Sequence, residues 1–413
     1  MPASLHDHGK IVLLTHVNVA LYALCFWIQI GTLPYLTKTF DVNPVTFGYL
    51  QTTFAVVQLM GGPLFGRFGD LFGSRTALAI AFISAFCSYL LLGLANTVFV
   101  IFLSRLPSAF MHAMQGAQMI ITDLTEPKQR SDSLGKLGLS YGVGMVLGPM
   151  VGGLTTKYAN EQIAAFIAAF GSLVCVFLVF TFIPNDTKQM GKIKHYSKAH
   201  DSDNEDSSSE KTPKAKSNKL IDINLFIDLV WKNPVARNLL FLKTVSGIPI
   251  GVLHSMFSMI ALNHFHLAAD VNGYVLSYIG VISMITQGLI VGRLTKQGFS
   301  DRALINSSIG LLFISYGLLA FVTEIYGFCL VCLPMVVAGA VFSTVVQAMM
   351  TKSVAIDDTG SVIGISMAVH SLIRSVSPTI GGFIFQYYGF KSFGILGVVC
   401  NGALFAYVML TNQ

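Results

Sequence analysis

The ten residues GMVLGPMVGG, from Gly144 to Gly153, carry the strongest structural signal in the chain. They lie inside an apolar run long enough to cross a membrane, since a transmembrane helix needs about 20 apolar residues. Gly144, Gly148 and Gly152 fall on one helix face, where small residues let neighbouring backbones approach closely. Pro149 has no amide hydrogen and allows the helix to bend. The pattern predicts a tight pivot between two parts of a membrane protein, alongside ordinary helix packing.

A related pattern returns in the second half of the chain. The residues RSVSPTIGG run from Arg374 to Gly382, and Pro378 within them lies 229 positions after Pro149. Two further pairs share this offset, Gly135 with Gly364 and Gln118 with Gln347. A repeat in register over half a chain indicates duplication. It predicts two pseudo-symmetric six-helix halves, with a ligand site between them near the middle of the membrane.

The composition excludes a water-soluble protein. Of the 413 residues, 53% are hydrophobic and 11% are charged, whereas a soluble domain carries about 25% charged residues. So few charges cannot coat a water-facing surface, which argues against soluble hydrolases, kinases and nucleic-acid-binding proteins. We expect an all-α membrane protein in the lipid bilayer, with twelve transmembrane helices and no nucleic-acid partner. The predicted spans are 11–36, 45–66, 76–96, 98–121, 133–156, 162–183, 236–263, 271–292, 303–323, 326–350, 360–386 and 393–410.

One polar stretch divides these spans into six and six. The predicted N-terminal half covers 1–183, a cytoplasmic linker covers 184–235, and the C-terminal half covers 236–413. Most of the linker is polar and mixed in charge, so we expect it to be largely disordered. The amphipathic segment at 220–231 is a possible membrane-surface helix. The sequence does not identify a protein partner for the linker, and a monomer is expected.

Lysine and arginine predict the orientation in the membrane, because cytoplasmic loops carry an excess of both. If the N-terminus is cytoplasmic, 20 of the 26 fall on the cytoplasmic side, 3 on the outer side and 3 inside spans. Both termini are therefore predicted to be cytoplasmic.

A second motif lies between the second and third spans. It consists of Gly66, Asp70, Gly73 and Arg75 in the sequence GRFGDLFGSR. This loop resembles the signature loop of the major facilitator superfamily, and the stretch at 144–153 resembles the motif of its proton-coupled drug antiporters. The resemblance implies the major facilitator fold and secondary active transport of a small-molecule substrate.

Two longer stretches narrow the resemblance. Residues from Phe47 to Gly69 and from Ser104 to Leu124 resemble the organic cation transporter-like solute carriers. This similarity implies export of organic cations in exchange for protons at a plasma membrane, with an intracellular membrane as the alternative. Leu71 stands where the wider antiporter family carries an arginine, which alters the charge network of the signature loop.

The signature residues predict a latch on the cytoplasmic side. A carboxylate at Asp70 can interact with the positive end of a helix in the other half. Arg75 is placed to pair with Asp123 at the end of the fourth span. Both interactions would close the cytoplasmic side when the transporter faces outward. The alternative is a positively charged topogenic loop with a tight glycine turn.

The distribution of charge inside the spans is uneven. All twenty Asp and Glu residues lie in loops, in tails or within about a turn of a span end. Ionisable residues inside spans are costly and usually face a cavity or a partner. The predicted interior is therefore electropositive, with histidine as the candidate proton carrier because its pKa of about 6.5 is in the useful range. The candidate cavity residues are Arg105, His112, Lys243, His254, His370, Arg374 and Trp27. A neutral, hydrogen-bonded role for each histidine, and a Lys243 that reaches toward the cytoplasm, remain open.

The cavity charges and the family resemblance favour different substrates. An electropositive cavity attracts organic anions and repels cations. A cation could still bind to aromatic rings such as Trp27, Phe26 and Tyr22. Three functions therefore remain: organic cation and proton antiport, organic anion transport, and a non-transporting membrane scaffold.

No enzyme is predicted, because the spans contain no nucleophile with a base, no carboxylate pair and no nucleotide-binding loop. Cys329 and Cys332 have no second cysteine pair and are interpreted as packing residues, so no metal site is expected. No cofactor is predicted, and the expected energy source is a proton gradient.

Overall fold

A computed structural model describes residues 5–125, 130–185, 187, 233–354 and 359–411. These residues form helices and turns, without a strand among them. Twelve helical segments, α1 to α12, follow in chain order. They are Leu5–Lys38, Pro44–Phe72, Ser74–Gly93, Val98–Leu124, Arg130–Tyr158, Glu161–Phe182, Pro234–Asn263, Ala269–Lys296, Asp301–Leu319, Ile325–Lys352, Thr359–Tyr388 and Lys391–Thr411.

Ten of these segments are long and apolar enough to cross a membrane by length and composition. The other two, α2 and α11, are 29 and 30 residues long. Each carries polar side chains that face the other half, such as Gln58 on α2 and Arg374 on α11. The prediction of an all-helical membrane protein is confirmed. The linker at 184–235, with its possible helix at 220–231, lies almost wholly outside the described residues, so the three-part division remains a prediction.

Helix α4 is broken near its middle, whereas the sequence predicted a continuous span. It consists of a helix at Val98–Leu103, a 3-10 turn at Leu106–Phe110 and a second helix at Ala113–Leu124. Pro107 stands in the 3-10 turn, where its ring fixes the backbone and removes a hydrogen-bond donor. Helix α8 contains a π-helical turn at Thr286–Ile290. Discontinuities of this kind occur where membrane transporters bind ligands.

Two equivalent seams join the halves. On α5 and α8, a Cβ on Gly273 would touch the carbonyl of Pro149, and one on Gly153 would touch Ala269. Such close approach is possible only because neither glycine has a side chain.

The second seam repeats the first. On α2 and α11, Gly48 lies against the carbonyl of Pro378, and Gly382 lies against Pro44. The sequence offset of 229 between the two proline motifs thus corresponds to the same contact made twice.

The stripe of Gly144, Gly148 and Gly152 has a different partner from the one predicted. A Cβ on Gly148 would lie 2.6 Å from the Leu24 carbonyl oxygen, and one on Gly152 would lie 2.9 Å from that of Ile28. Both neighbours belong to α1, in the same half. The stripe therefore packs α5 against α1, and the pivot between the halves is the adjacent face of α5 that carries Pro149 and Gly153.

The apolar packing between the halves lies at one end of the part of the chain that the structure describes. Among the described residues the buried apolar side chains form three clusters, of which two draw on a single half each. The third contains residues of both halves, from Leu33 on α1 to Phe393 on α12. It lies at the end that carries the C-terminus of α1, which is the predicted outer end.

Polar contacts also close the predicted outer end. The ammonium of Lys157 lies 2.7 Å from a carboxylate oxygen of Asp270. The hydroxyl of Tyr35 donates to the carbonyl of Leu267 at 2.9 Å, and the amide of Asn272 donates to the carbonyl of Gly31. Each of these contacts crosses between the two halves.

The seam between α5 and α8 opens toward the opposite end. Gly142 on α5 still faces the sulfur of Met284, 3.2 Å from the position of a Cβ. Gly138 on α5 and Gly288 on α8 lie one turn further along the same helix faces. Among the described residues, a Cβ placed on either glycine would have no atom of another helix within 4 Å. Within the described residues, the halves are therefore packed together at the predicted outer end and separated at the predicted cytoplasmic end.

Candidate transport site

An arginine and a glutamine meet between the halves. The guanidinium Nη2 of Arg374, on α11, donates to Oε1 of Gln58 on α2. The Gln58 amide donates in turn to the carbonyl of Met111, in the break of α4, at 3.3 Å. A carboxamide is neutral, so this bond orients the guanidinium without cancelling its charge. Gln58 was not among the predicted cavity residues. The sequence does indicate it, because it is a polar residue nearly four turns inside an apolar span.

His254 is the second predicted residue at this junction. Its imidazole makes an edge contact with the indole of Trp27, with ring centroids 6.1 Å apart. Trp27 lies on α1 and His254 on α7, so the contact joins the two halves. Helix α7 packs on α11 beside this contact, with Gly251 against Ile373 and Ser377, so His254 lies near the part of α11 that carries His370 and Arg374. The structure thus brings together four of the seven predicted cavity residues.

His112 lies directly at the break in α4. It precedes the second helix of that segment as its N-cap residue, and its ring centroid is 5.4 Å from that of Phe65. Its Nε2 atom is buried and makes no hydrogen bond. The positive charge of Arg374 acts on this imidazole as well. His112 therefore borders the same cavity from the N-terminal half.

Lys243 lies beside the cavity within the C-terminal half. Its ammonium donates to Oε1 of Gln347 at 2.8 Å and to the hydroxyl of Ser366. His370, on the same helix as Ser366, interacts electrostatically with both Lys243 and Arg374. Lys243 is held by side chains of α10 and α11 and extends the region of positive charge.

Arg105 does not line the open cavity, contrary to the prediction. Its side chain is 1% exposed, and its guanidinium lies over the ring of Phe54 at 5.9 Å. With its oxygen turned toward the guanidinium, the carboxamide of Gln29 accepts from Nη1 at 3.1 Å. Packing between α1 and α2 encloses this arginine in the N-terminal half. Its role in this conformation is structural.

An aromatic wall lies beside the charged groups. The ring of Phe26 is 6.2 Å from that of Trp27 and 6.1 Å from that of Phe54. Tyr22 stacks on Phe26 and donates its hydroxyl to the carbonyl of Met111. The wall and the charged groups meet at the break in α4. The site therefore combines apolar surface with positive charge.

The described carboxylates lie away from this site. They occupy loops and helix ends: Asp41, Asp70, Asp123, Glu161, Asp270, Asp301 and Glu324. Within the described residues, no three His, Cys, Asp or Glu side chains come together as a possible metal site. The positive charges at the cavity consequently have no acidic partner there in the part of the chain that the structure describes.

The predicted latch residues make other contacts. Arg75 donates to Asn185 and to the carbonyl of Phe180 at the end of α6, and Asp123 accepts from Ser74 and Thr187. In this conformation both groups are therefore bonded locally, and the Arg75–Asp123 ion pair remains a prediction for the outward-facing state.

The signature loop contains the tight glycine turn that the alternative interpretation of this loop expected. Gly73 has a φ of 88°, which favours glycine, and Gly66 approaches Gln115 of α4. Asp70 is exposed at the open end, so its contact with the other half remains a prediction for the outward-facing state.

Two six-helix groups that pack together at one end, with polar and charged side chains facing each other between them, define a membrane transport protein. The profile described as "Major Facilitator Superfamily" matches residues 15–333 and 239–412. The chain belongs to the major facilitator superfamily. It is a multi-pass integral membrane transporter rather than an enzyme, and the resemblance inferred from the two motifs is confirmed.

Two solute carriers are similar to this chain over almost its whole length, and a tetracycline resistance protein is similar over two thirds of it. The human solute carrier family 67 member A1 is 36% identical over 399 residues, covering 95% of this chain and 90% of the relative. The rat solute carrier family 22 member 18 is 38% identical over 397 residues, covering 95% and 91%. The class E tetracycline resistance protein of Escherichia coli is 27% identical over 289 residues, covering 68% and 70%.

Solved structures show the same fold at low sequence identity. The nucleoside transporter NupG has a TM-score of 0.73 at 15% identity, with 97% of this chain and 99% of that chain covered. The human organic anion transporter MFSD10 (TETRAN) has a TM-score of 0.64 at 18% identity, with 98% and 99% covered.

Proposed function

We propose that this protein carries small amphiphilic organic anions by alternating access. The observation that supports this most directly is Arg374, a guanidinium between the two halves whose bonding partner is the neutral Gln58. A carboxylate or sulfonate can accept the remaining guanidinium hydrogens in a bidentate arrangement. His254 and His370 add positive charge on the same side when they are protonated.

The aromatic wall accounts for the amphiphilic part of the substrate. Phe26 and Phe54 are partly exposed close to the charged groups, and the buried Trp27 packs behind Phe26. An anion with an aromatic body can place its acidic group at Arg374 and its rings against this wall. A small inorganic anion would leave the wall without contacts and would bind more weakly.

The conformation supports an inward-facing state in the proposed cycle. With both termini in the cytoplasm, as the charge distribution predicts, the open end faces the cytoplasm and the packed seams close the outer side. The plasma membrane is the location that the family resemblance implies. Surface biotinylation and protease protection of tags at the two termini test location and orientation together.

Uptake into proteoliposomes tests the substrate class. We expect uptake of an aromatic sulfonate and little uptake of a lipophilic quaternary ammonium ion. Arg374→Ala should reduce sulfonate uptake roughly tenfold or more, since a hydrogen bond to a charged group contributes about 1.5–3 kcal/mol. Arg374→Lys should retain part of the uptake, because it keeps the charge and loses the bidentate geometry.

Lys391→Ala is the matched control, since it removes an exposed positive charge at the start of α12, outside the cavity. Its uptake should equal that of the unaltered protein. Equal uptake by Arg374→Ala and the unaltered protein would contradict the anion proposal.

Organic cation and proton antiport is the second candidate. The observation in its favour is the cluster of Tyr22, Phe26 and Trp27, whose ring faces can bind a cation when the histidines are neutral. In the same assay this function would give cation uptake driven by protons leaving the vesicle. Uptake of neither ion would favour a scaffold that does not transport.

A further inference from the structure

We propose that the anion and a proton travel together in the same direction, with the proton held by His254. This inference rests on the proposed anion function and specifies how transport is coupled. It predicts symport, in contrast to the proton exchange that the family resemblance implies.

The position of His254 suits a coupling group. It lies on α7 and touches Trp27 of α1, so its surroundings change when the halves separate. Helix α7 packs directly on α11 here, since a Cβ on Gly251 would lie 3.1 Å from Ile373 and 2.7 Å from the Ser377 hydroxyl. The charged and titratable groups that α11 brings near His254 are Arg374 and His370. From α1 the residue that faces it is the uncharged Trp27.

Electrostatics determines the sign of the coupling. Arg374 disfavours a second positive charge on His254 while the cavity is empty. An anion bound at Arg374 offsets that charge, so protonation of the imidazole becomes easier. By reciprocity, a proton on His254 must tighten anion binding by the same factor. A cation in the same cavity would have the opposite effect and expel the proton.

The proposed step balances in charge and protons. The imidazole nitrogen of His254 accepts one proton from water on the side where the cavity is open. It releases that proton to water on the other side, after the halves have turned and the anion has left. A monovalent anion with one proton is neutral, so the translocated pair adds no net charge to the cavity.

Within the described part of the chain, Lys243 and His112 are also near the cavity, but neither contacts the opposite half as His254 does. Lys243 is held by Gln347 and Ser366 within the C-terminal half, away from the junction between the halves. His112 borders the cavity from α4 but packs against Phe65 of its own half. His254 is the predicted histidine whose ring contacts an aromatic side chain of the opposite half.

The test uses proteoliposomes that contain a fluorescent pH indicator, with equal pH on both sides. The probe is 2-naphthalenesulfonate, because a sulfonate stays ionised and cannot carry a proton across the bilayer by itself. Symport predicts acidification of the interior when the sulfonate enters. An imposed membrane potential should leave the uptake rate unchanged, because the translocated pair is neutral.

His254→Gln should separate movement of the sulfonate from movement of the proton. We expect labelled-for-unlabelled sulfonate exchange at equal pH to be weakened but still measurable, because Arg374 is intact, while acidification is lost. The apparent affinity for the sulfonate should tighten about tenfold between pH 7.5 and 5.5 in the unaltered protein, within the usual range of coupling, and should be nearly constant in the variant. His16→Gln is the matched control, since His16 is bonded to Ser140 within the N-terminal half.

The outcomes separate this inference from the proposed function. Sulfonate uptake without proton movement, or with alkalinisation of the interior, would overturn symport and leave anion transport in place. Acidification that persists in His254→Gln would overturn the assignment to His254. Absence of sulfonate uptake in the unaltered protein would overturn the proposed function itself. If His254→Gln does not fold, the direction of proton movement in the unaltered protein still decides between symport and antiport.

Discussion

At the scale of single residues, similar side chains have different roles because their neighbours differ. Arg105 and Arg374 are both cations inside apolar spans. Arg105 is enclosed by Gln29 and Phe54 within one half, whereas Arg374 reaches across to Gln58 in the other half. The first therefore belongs to the packing of the N-terminal half, and the second to the cavity.

Alanine at the two arginines should give opposite phenotypes. Arg105→Ala leaves a cavity and removes a bonding partner of Gln29, so we expect a loss of about 1–3 kcal/mol in the free energy of unfolding. Arg374→Ala should change the melting temperature little while it removes sulfonate uptake. Thermal denaturation in detergent, together with uptake, measures both effects. A stable Arg105→Ala protein with normal uptake would contradict the structural role.

His264 should make the outer end sensitive to acid. Burial, and then the positive charge of His266, lowers its pKa below the usual 6.5, and its ring stacks on Phe390 with centroids 4.6 Å apart. The folded protein disfavours protonation of the His264 imidazole. The free energy of unfolding should therefore be highest above pH 6.5 and decrease as the pH falls below 6.5.

His264→Phe tests this effect because it keeps the stacking and removes the titration. The melting temperature should fall less between pH 7.5 and 5.5 in the variant than in the unaltered protein. Identical pH profiles would show that His264 does not contribute.

At the scale of elements, α5 has two faces that pack against different helices. Gly144, Gly148 and Gly152 pack against α1, and the face with Pro149 and Gly153 packs against α8. One face stabilises the N-terminal half, and the other forms the seam that must separate during transport.

Two glycine-to-alanine substitutions on α5 distinguish close packing against α1 from the intrinsic helix propensity of the residue. Gly148→Ala should destabilise the protein, because its Cβ would lie 2.6 Å from the Leu24 carbonyl oxygen and 2.7 Å from the Trp27 Cβ. Gly135→Ala meets open space and should stabilise the helix by about 0.5–1 kcal/mol. Melting temperatures of the two variants compare them directly, and a more stable Gly148→Ala would show that α1 yields to the extra methyl group.

At the scale of the whole molecule, the two seams act as a pair. The contact of Pro149 with Gly273 and that of Pro378 with Gly48 are equivalent by the internal repeat. Both close the same end, so opening the outer side requires both to separate. The shared apolar cluster at that end must divide at the same time.

Cysteine pairs should report which end is closed. Val45 and Gln386 are in contact across the outer seam, with 3.2 Å between the Val45 amide nitrogen and the Gln386 oxygen. A Val45→Cys, Gln386→Cys pair should therefore cross-link in the inward-facing state and block transport until it is reduced. A Gly138→Cys, Gly288→Cys pair should cross-link only after the molecule turns outward. Replacing the partly exposed Cys87, Cys329 and Cys400 first removes competing thiols.

The reverse pattern, with ready cross-linking of the Gly138 and Gly288 positions in the resting protein, would contradict an inward-facing resting state. The same pairs also report substrate effects, because a transported anion should change the rate at which each pair forms.

The amino-acid sequence by itself determined the class of protein and the symmetry of its halves. Composition and span length require a membrane, because an apolar helix of about 20 residues fits no other solvent, and the repeat at Pro149 and Pro378 predicts equivalent seams. Tertiary structure decided which face of each helix meets which neighbour. It enclosed Arg105, directed the glycine stripe toward α1, and placed Gln58 against Arg374. Helix rotation and crossing arise from packing among many helices, and a residue type alone does not specify its neighbours.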